Sequence, residues 1–253
     1  GPETLAQHAG AVVARLEESN GGVIVTALRL LGELEPATLA RYAGNVIKMF
    51  EVKDWEEEEG WWEEDYVVEG EEIGVRNEAL QTLARLEPPV LAQHADAVVA
   101  LLDDSYWLVR RCALDTLSNL EPETLAQHAD AVISRLEDSC WLVRGWALAT
   151  LARLEPAALA QYADAIVARL EDSDVRSEAL DTLARLEPAT LALHADVVAD
   201  AVVKMLEDEK EYVRMTALET LGKLALATLA PHFSAVVAMR GDPHDDVRDK
   251  ARQ

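Results

Sequence analysis

The chain has 253 residues, half of them apolar, and carries 47 acidic against 23 basic residues, a net charge of −24. Phosphate backbones and anionic lipids are recognised by clustered Lys and Arg, so this balance excludes nucleic acid and membrane surfaces as expected partners. No run of about eighteen apolar residues is present, so no membrane span is expected and the chain reads as soluble. Two cysteines, Cys112 and Cys140, make no disulfide framework and point to a reducing, cytoplasmic setting.

Taken in order, the chain repeats itself from its second residue. Copies begin at Pro2, Pro36, Pro88, Pro122, Pro156 and Pro188, with Leu226 where a seventh proline would stand. Pro122 to Glu155 is a regular copy. Its Leu125, Ala129, Val132, Ile133 and Leu136 form the apolar stripe of a first helix, helix A. Proline suits the first helical turn, where its missing N–H would have no partner. After the polar turn Glu137-Asp138-Ser139, a second stripe in Val143, Ala147, Leu148, Leu151 and Leu154 predicts helix B. Neither helix can bury its stripe alone, so neighbouring copies must stack. The expectation is one repeat domain over residues 1–253, an all-α right-handed solenoid of about seven helix pairs. Gly1-Pro2 has the form of a protease-cleavage scar, so the chain reads as a fragment of a longer array.

Repeat one has Asn20-Gly21-Gly22 in its turn. Repeat two gains about 18 residues before Val75 and Arg76. This acidic insertion, at about 52–73, holds Trp55, Trp61, Trp62 and Tyr66; its charge fits a solvated acidic loop, its aromatics fit packing against the solenoid or a partner, and the sequence leaves both readings open. Repeats three and four carry Trp107-Leu108 and Trp141-Leu142 at the start of helix B. Repeat five lacks two residues there, repeat six gains four around Val197 to Asp200, and Pro231 interrupts helix A of repeat seven.

One motif recurs through the later copies: an Asp, a short spacer, then Val-Arg-x-x-Ala-Leu. It joins Asp104 with Val109 and Arg110, and Asp138 with Val143 and Arg144, then continues through Asp172, Asp208 and Asp242 with Arg176, Arg214 and Arg248. This pattern resembles the HEAT-repeat group, particularly its short-repeat members. The resemblance implies a HEAT-like (armadillo-type) α-solenoid in which the Asp and Arg form a ladder between adjacent repeats. Repeat one departs from it, with Glu18 and Ile24 at those places, and repeat two has Val52 at the Asp position. A spacing of 34 residues also fits tetratricopeptide and ankyrin repeats, but their Trp-Leu-Gly-Tyr pattern and Gly-rich hairpin loops are missing.

Chemistry is sought in the remaining columns. His8, Tyr42, His94, His128, Tyr162, His194 and His232 share one column, each about a repeat from the next, too far apart to share a metal. A half-buried aromatic making a local hydrogen bond is the expected role, and no cofactor is implied. HEAT-like hydroxylases carry His-Glu pairs, and this chain has no such dipeptide. No phosphate loop, Cys-x-x-Cys pair or Gly-x-Ser-x-Gly elbow appears, so no catalytic residues are assigned.

The informative columns bracket Val-Arg on helix B, where residue type varies while the framework repeats. They hold Trp107, Leu108, Arg111, Cys112 and Asp115 in repeat three, and Trp141, Leu142, Gly145, Trp146 and Ala149 in repeat four. Repeat six contributes Tyr212 and Met215, and repeat two the polar Asn77, Glu78 and Gln81. Trp and Arg dominate interface hot spots. The expected function is therefore a non-catalytic protein- or peptide-binding scaffold that uses the inner, helix B face of repeats two to four and the acidic, aromatic insertion. Its partner would contact Trp107, Leu108, Arg111, Trp141, Leu142, Trp146, Tyr212 and Met215 together with Trp55, Trp61, Trp62 and Tyr66, and would carry a basic segment. Two other readings stay open: a HEAT-like bilin-lyase-type enzyme that cradles a chromophore, and an artificial or consensus-derived scaffold.

Overall fold

The computed structural model describes residues 2–51 and 74–253. Among the described residues the chain is helical without strands, and no helix is long and apolar enough to cross a membrane. Two compact units make up the chain, residues 1–124 and 125–253. The insertion, with Trp55, Trp61, Trp62 and Tyr66, lies outside the described residues.

Unit one holds three helix pairs. Helix B spans Gly21–Gly32 in repeat one, Val75–Leu83 in repeat two and Trp107–Leu117 in repeat three, and each lies against the next. Unit two continues with Trp141–Leu151, Arg176–Leu183, Glu211–Gly222 and Asp245–Lys250, stacked in the same way. The apolar stripes form the core: Leu80, Leu83, Leu114 and Leu117 in unit one and Leu148, Leu151, Leu180 and Leu183 in unit two are all but inaccessible.

Pro36, Pro88, Pro156 and Pro188 each open a helix A, and Leu226 opens the last one. From repeat two onward helix A is broken at the aromatic column. Tyr42 (φ −112°, ψ 2°) and His94 (φ −120°, ψ 7°) sit in the bridge region, after which the helix restarts at Ala43 and Ala95. Repeat one differs, for His8 lies inside an unbroken helix, Pro2–Val13. The four extra residues of repeat six extend its second segment to Ala195–Lys204, 10 residues against the 6 of Ala129–Ser134. That is close to one helical turn, so the apolar face keeps its direction.

Three sets of polar contacts tie neighbouring repeats, the first two in both units and the third in unit two. The inner one runs along the Asp–Arg columns: Arg76 to Asp104 (3.3 Å), Arg144 to Asp172 (2.8 Å) and Arg214 to Asp242 (2.8 Å). The same aspartates accept the backbone N–H two residues ahead, at Tyr106, Asp174 and His244, so one carboxylate shapes the turn and receives the preceding repeat. The second set is buried: Thr82, Thr116 and Thr182 donate to the carbonyls of Leu28, Leu80 and Leu148 one repeat earlier. The third lies on helix A. Tyr162 donates to Asp130 at 3.0 Å, and His194 and His232 lie 3.0 and 3.2 Å from Asp164 and Asp200. At Tyr162, His194 and His232 the ring of the aromatic column thus reaches across to the preceding repeat rather than bonding locally.

Candidate functional site

Helix B begins where the Asp turn ends, so its first residues stand at the edge of each stack. In unit two that edge carries large aromatics in water. Trp141, the first residue of its helix, is 42% exposed, and Tyr212, the second residue of its helix, is 50% exposed. Repeat five, between them, has a shorter turn and offers Asp174 there, held 3.3 Å from Arg144. Lys210 lies 5.8 Å from the Tyr212 ring centroid, a cation already seated on that face. Leu142, Trp146 and Met215 are half-buried along the same helices.

Farther along the row the side chains become acidic. Glu178 occupies the column of Trp146, and Ser177 donates to its carboxylate at 2.9 Å. Asp181 follows one turn later. Desolvation raises its carboxyl above the usual range against the opposing pull of a hydrogen bond from Thr216, and Glu178 pushes it up further. The edge of unit two therefore presents aromatic faces at the helix starts and carboxylates beside and beyond them.

In unit one, Trp107, Leu108 and Arg111 are half-buried on helix B of repeat three. Tyr106, immediately before that helix, is 40% exposed and was not singled out by sequence. It stands in the column of Cys140, and its adjacency to Trp107 was the available signal. Three expectations need correction. Cys112 does not face outward but is 5% exposed, and burial pushes its thiol up to about 11. Asn77 and Glu78 are likewise buried, at 3% and 6%, because the row between adjacent B helices closes around them. Glu78 there accepts from Arg29 at 3.0 Å.

Sequence reasoning also passed over four exposed apolar residues of unit two. Leu193, Val197, Leu226 and Phe233 stand on the helix A side, where other repeats have Gln, Ala, Pro and Ala. Among the described residues no three His, Cys, Asp or Glu side chains come together as a metal site.

A family model described as HEAT repeats matches residues 163–253. Those residues are HEAT repeats, and the chain has the fold of a HEAT-repeat α-solenoid. No curated protein matches it in sequence. Among solved structures, an engineered protein superposes with a TM-score of 0.61 at 18% identity, over 85% of this chain and 95% of that one. Kap121p bound to the SUMO protease Ulp1p gives 0.62 at 17% identity, over 98% of this chain but 28% of that one. A chain from a homology model of the full-length AP-3 complex gives 0.57 at 14%, over 98% of this chain and 50% of that one. At these identities the likeness is one of fold. This chain spans a little over a quarter of the length of Kap121p and half of that of the AP-3 chain.

Proposed function

We propose that this HEAT-repeat chain is a non-catalytic, intracellular recognition scaffold whose helix B edge binds a protein segment rich in Lys and Arg. The observation that carries this reading is the exposure of Trp141 and Tyr212 at the helix B starts of unit two, with carboxylates along the same row. Aromatic side chains left in water at the edge of a rigid stack cost little further ordering on binding, and aromatic anchors dominate interface energetics. Their ring faces attract guanidinium and ammonium groups, while the carboxylates pair with them. On unit one, taken by itself, Trp107 and Leu108 offer an aromatic and an apolar contact, whereas Arg111 is a cation and does not share this chemistry. Solved structures of this fold include Kap121p bound to Ulp1p and to Pho4p, which supports a protein as the ligand class.

The test uses fluorescein-labelled peptides of equal length, one rich in Arg and Lys and one rich in Glu, titrated by anisotropy against the full chain. The basic peptide is expected to bind and the acidic one not, with affinity falling as salt rises past the screening range. Replacing Trp141 and Tyr212 together by Ala should weaken binding at least about tenfold, a loss of 1.4 kcal/mol or more. Equal binding of the two peptides, or indifference to the double replacement, would remove the helix B edge as the site.

A further inference from the structure

We propose that Asp208 is a socket for an arginine of the bound protein segment, at a joint of unit two where the chain's own arginine does not arrive. The socket belongs to the helix B edge and rests on the reading of that edge as the seat of a basic segment. Asp104, Asp172 and Asp242 each accept the backbone N–H two residues ahead and then an arginine of the preceding repeat. At Asp172 and Asp242 the guanidinium spans both carboxylate oxygens, with Nε to Oδ2 at 2.8 Å in each and Nη2 to Oδ1 at 3.4 and 3.1 Å. A turn of this form is a receptor for a planar, forked cation.

Asp208 is shaped in the same way. It accepts the Lys210 N–H at 2.8 Å, and its carbonyl accepts from Arg214 of the same turn, as the carbonyl of Asp104 does from Arg110. Among the described residues, however, no arginine reaches its carboxylate. The cause lies in the sequence of repeat five. In repeats four and six the arginine follows its Asp by six residues, is the fourth residue of helix B and hooks onto carbonyls of its own turn. Repeat five lacks two of those residues, so Arg176 is the first residue of its helix, Arg176–Leu183. Among the described residues its half-buried side chain pairs neither with its own turn nor with Asp208. The buried threonine tie is missing at this joint as well: Thr220 donates to Thr216 of its own helix, whereas Thr182 also donates to Leu148 of the preceding repeat. Repeats five and six are held instead by His194 against Asp164 and by Lys223 on the carbonyl of Ala184, so their stacking does not depend on a partner for Asp208.

The cations nearest to Asp208 in sequence are engaged elsewhere. Arg214 gives Nε and Nη2 to Asp242 and Nη1 to the turn carbonyls, and the Lys210 ammonium lies 5.8 Å from the Tyr212 ring centroid. Tyr212 follows Asp208 by four residues and is 50% exposed. A basic segment seated on that ring therefore runs beside a half-buried carboxylate whose counterparts at Asp172 and Asp242 each hold a guanidinium. Arginine suits the place better than lysine. Its fork makes two parallel N–H···O bonds to one carboxylate, whereas an ammonium acts as a point charge.

Two fluorescein-labelled peptides of equal length and charge, one with Arg and one with Lys at every basic position, are titrated by anisotropy against the full chain and its Asp208→Asn variant. Asn keeps an oxygen for the Lys210 N–H, so the turn survives. The Arg peptide is expected to bind at least about fivefold more tightly than the Lys peptide, and Asp208→Asn to erase that difference with unchanged circular dichroism. Arg176→Ala should leave the affinity for the Arg peptide unaltered. A loss there as large as in Asp208→Asn would mean that Asp208 serves the arginine of repeat five, and overturns the proposal. Equal binding of the two peptides by the parent, or a preference for Arg that Asp208→Asn leaves in place, also overturns it while the helix B edge stands. Failure of the edge has its own signature: a preference for Arg that Asp208→Asn erases, with Trp141→Ala and Tyr212→Ala together leaving both affinities at full strength, keeps the socket and removes the aromatic anchors. Binding of neither peptide removes both.

Discussion

Arg214 and Asp242 meet in a bidentate pair, with Nε to Oδ2 at 2.8 Å and Nη2 to Oδ1 at 3.1 Å, between side chains only 8% and 4% exposed. The pair joins repeat six to repeat seven, and the arginine also donates to the carbonyls of Asp208 and Glu209 in its own turn. One guanidinium therefore fixes a turn and a repeat interface together. Removing the charge on one side leaves the other buried and uncompensated.

Asp242→Asn keeps an oxygen to accept from the His244 N–H, so the turn survives and the charge pair alone is lost. We expect a destabilisation of about 3 kcal/mol, the lower end for breaking a buried pair, because two carbonyls still hold Arg214. Asp172→Asn should cost less. Its partner Arg144 is 14% exposed and keeps Asp174 within 3.3 Å. Urea midpoints of the two variants against the parent decide the order.

The same pair dictates an acid response. The hydrogen bond from Arg214 holds the Asp242 carboxyl at about 2, well below its ordinary 3.8, against an opposing effect of burial. A carboxyl depressed in the folded state stabilises fully above its unfolded value, and that contribution disappears as pH falls through the folded one. Stability should thus drop between pH about 4 and about 2. The gap between parent and Asp242→Asn should close over the same window in urea titrations. A gap that persists unchanged to the acid end would mean that this pair is not the source.

Framework and surface separate on a single helix. Leu148 is inaccessible in the core of unit two, and Leu148→Ala should cost about 2–5 kcal/mol as a buried truncation. Trp146, two residues earlier, is half-buried on the helix B row proposed above to meet the ligand. Trp146→Ala should cost well under that while weakening the basic peptide. Thermal melts with anisotropy on the same samples test both halves.

The helix pairs were legible because a stacked repeat places the same column in the same surroundings each time. Proline at the first helical position, the two apolar stripes and the Asp–Arg spacing each recur for one physical reason. Pro231 even announced the break that the structure carries at His94 or Tyr162 without any proline. The outward columns were less legible. A stripe drawn on one helix says nothing of the next helix along, and the column of Glu78, Cys112 and Trp146 lies where neighbouring B helices meet. Glu78 is buried there because Arg29 answers it, and Cys112 because it is small. Leu193 and Phe233 were visible as departures from Gln and Ala. Their significance depends on what covers each column in the other repeats, which only the packing reveals.

The two cysteines offer a last check on that packing. Both are free, but Cys140 is half-exposed in the turn before Trp141, while Cys112 is buried on helix B of repeat three. Burial pushes the Cys112 thiol up to about 11, outweighing the pull of Arg111, and Asp115 adds to the rise. The thiolate is the reactive form. At pH about 8 a thiol with that value is ionised to the extent of roughly one part in a thousand, and the helix row also shields it from reagent. Iodoacetamide should therefore label Cys140 in the native protein and leave Cys112 unmodified until denaturant is added. Tryptic peptides quantified by mass spectrometry across a urea series give both rates. Labelling of Cys112 should rise with the unfolding transition of unit one, so it also reports the stability of that unit separately from unit two. Native labelling of both at similar rates would mean that Cys112 faces solvent, and that the packing between B helices described for unit one is wrong at repeat three.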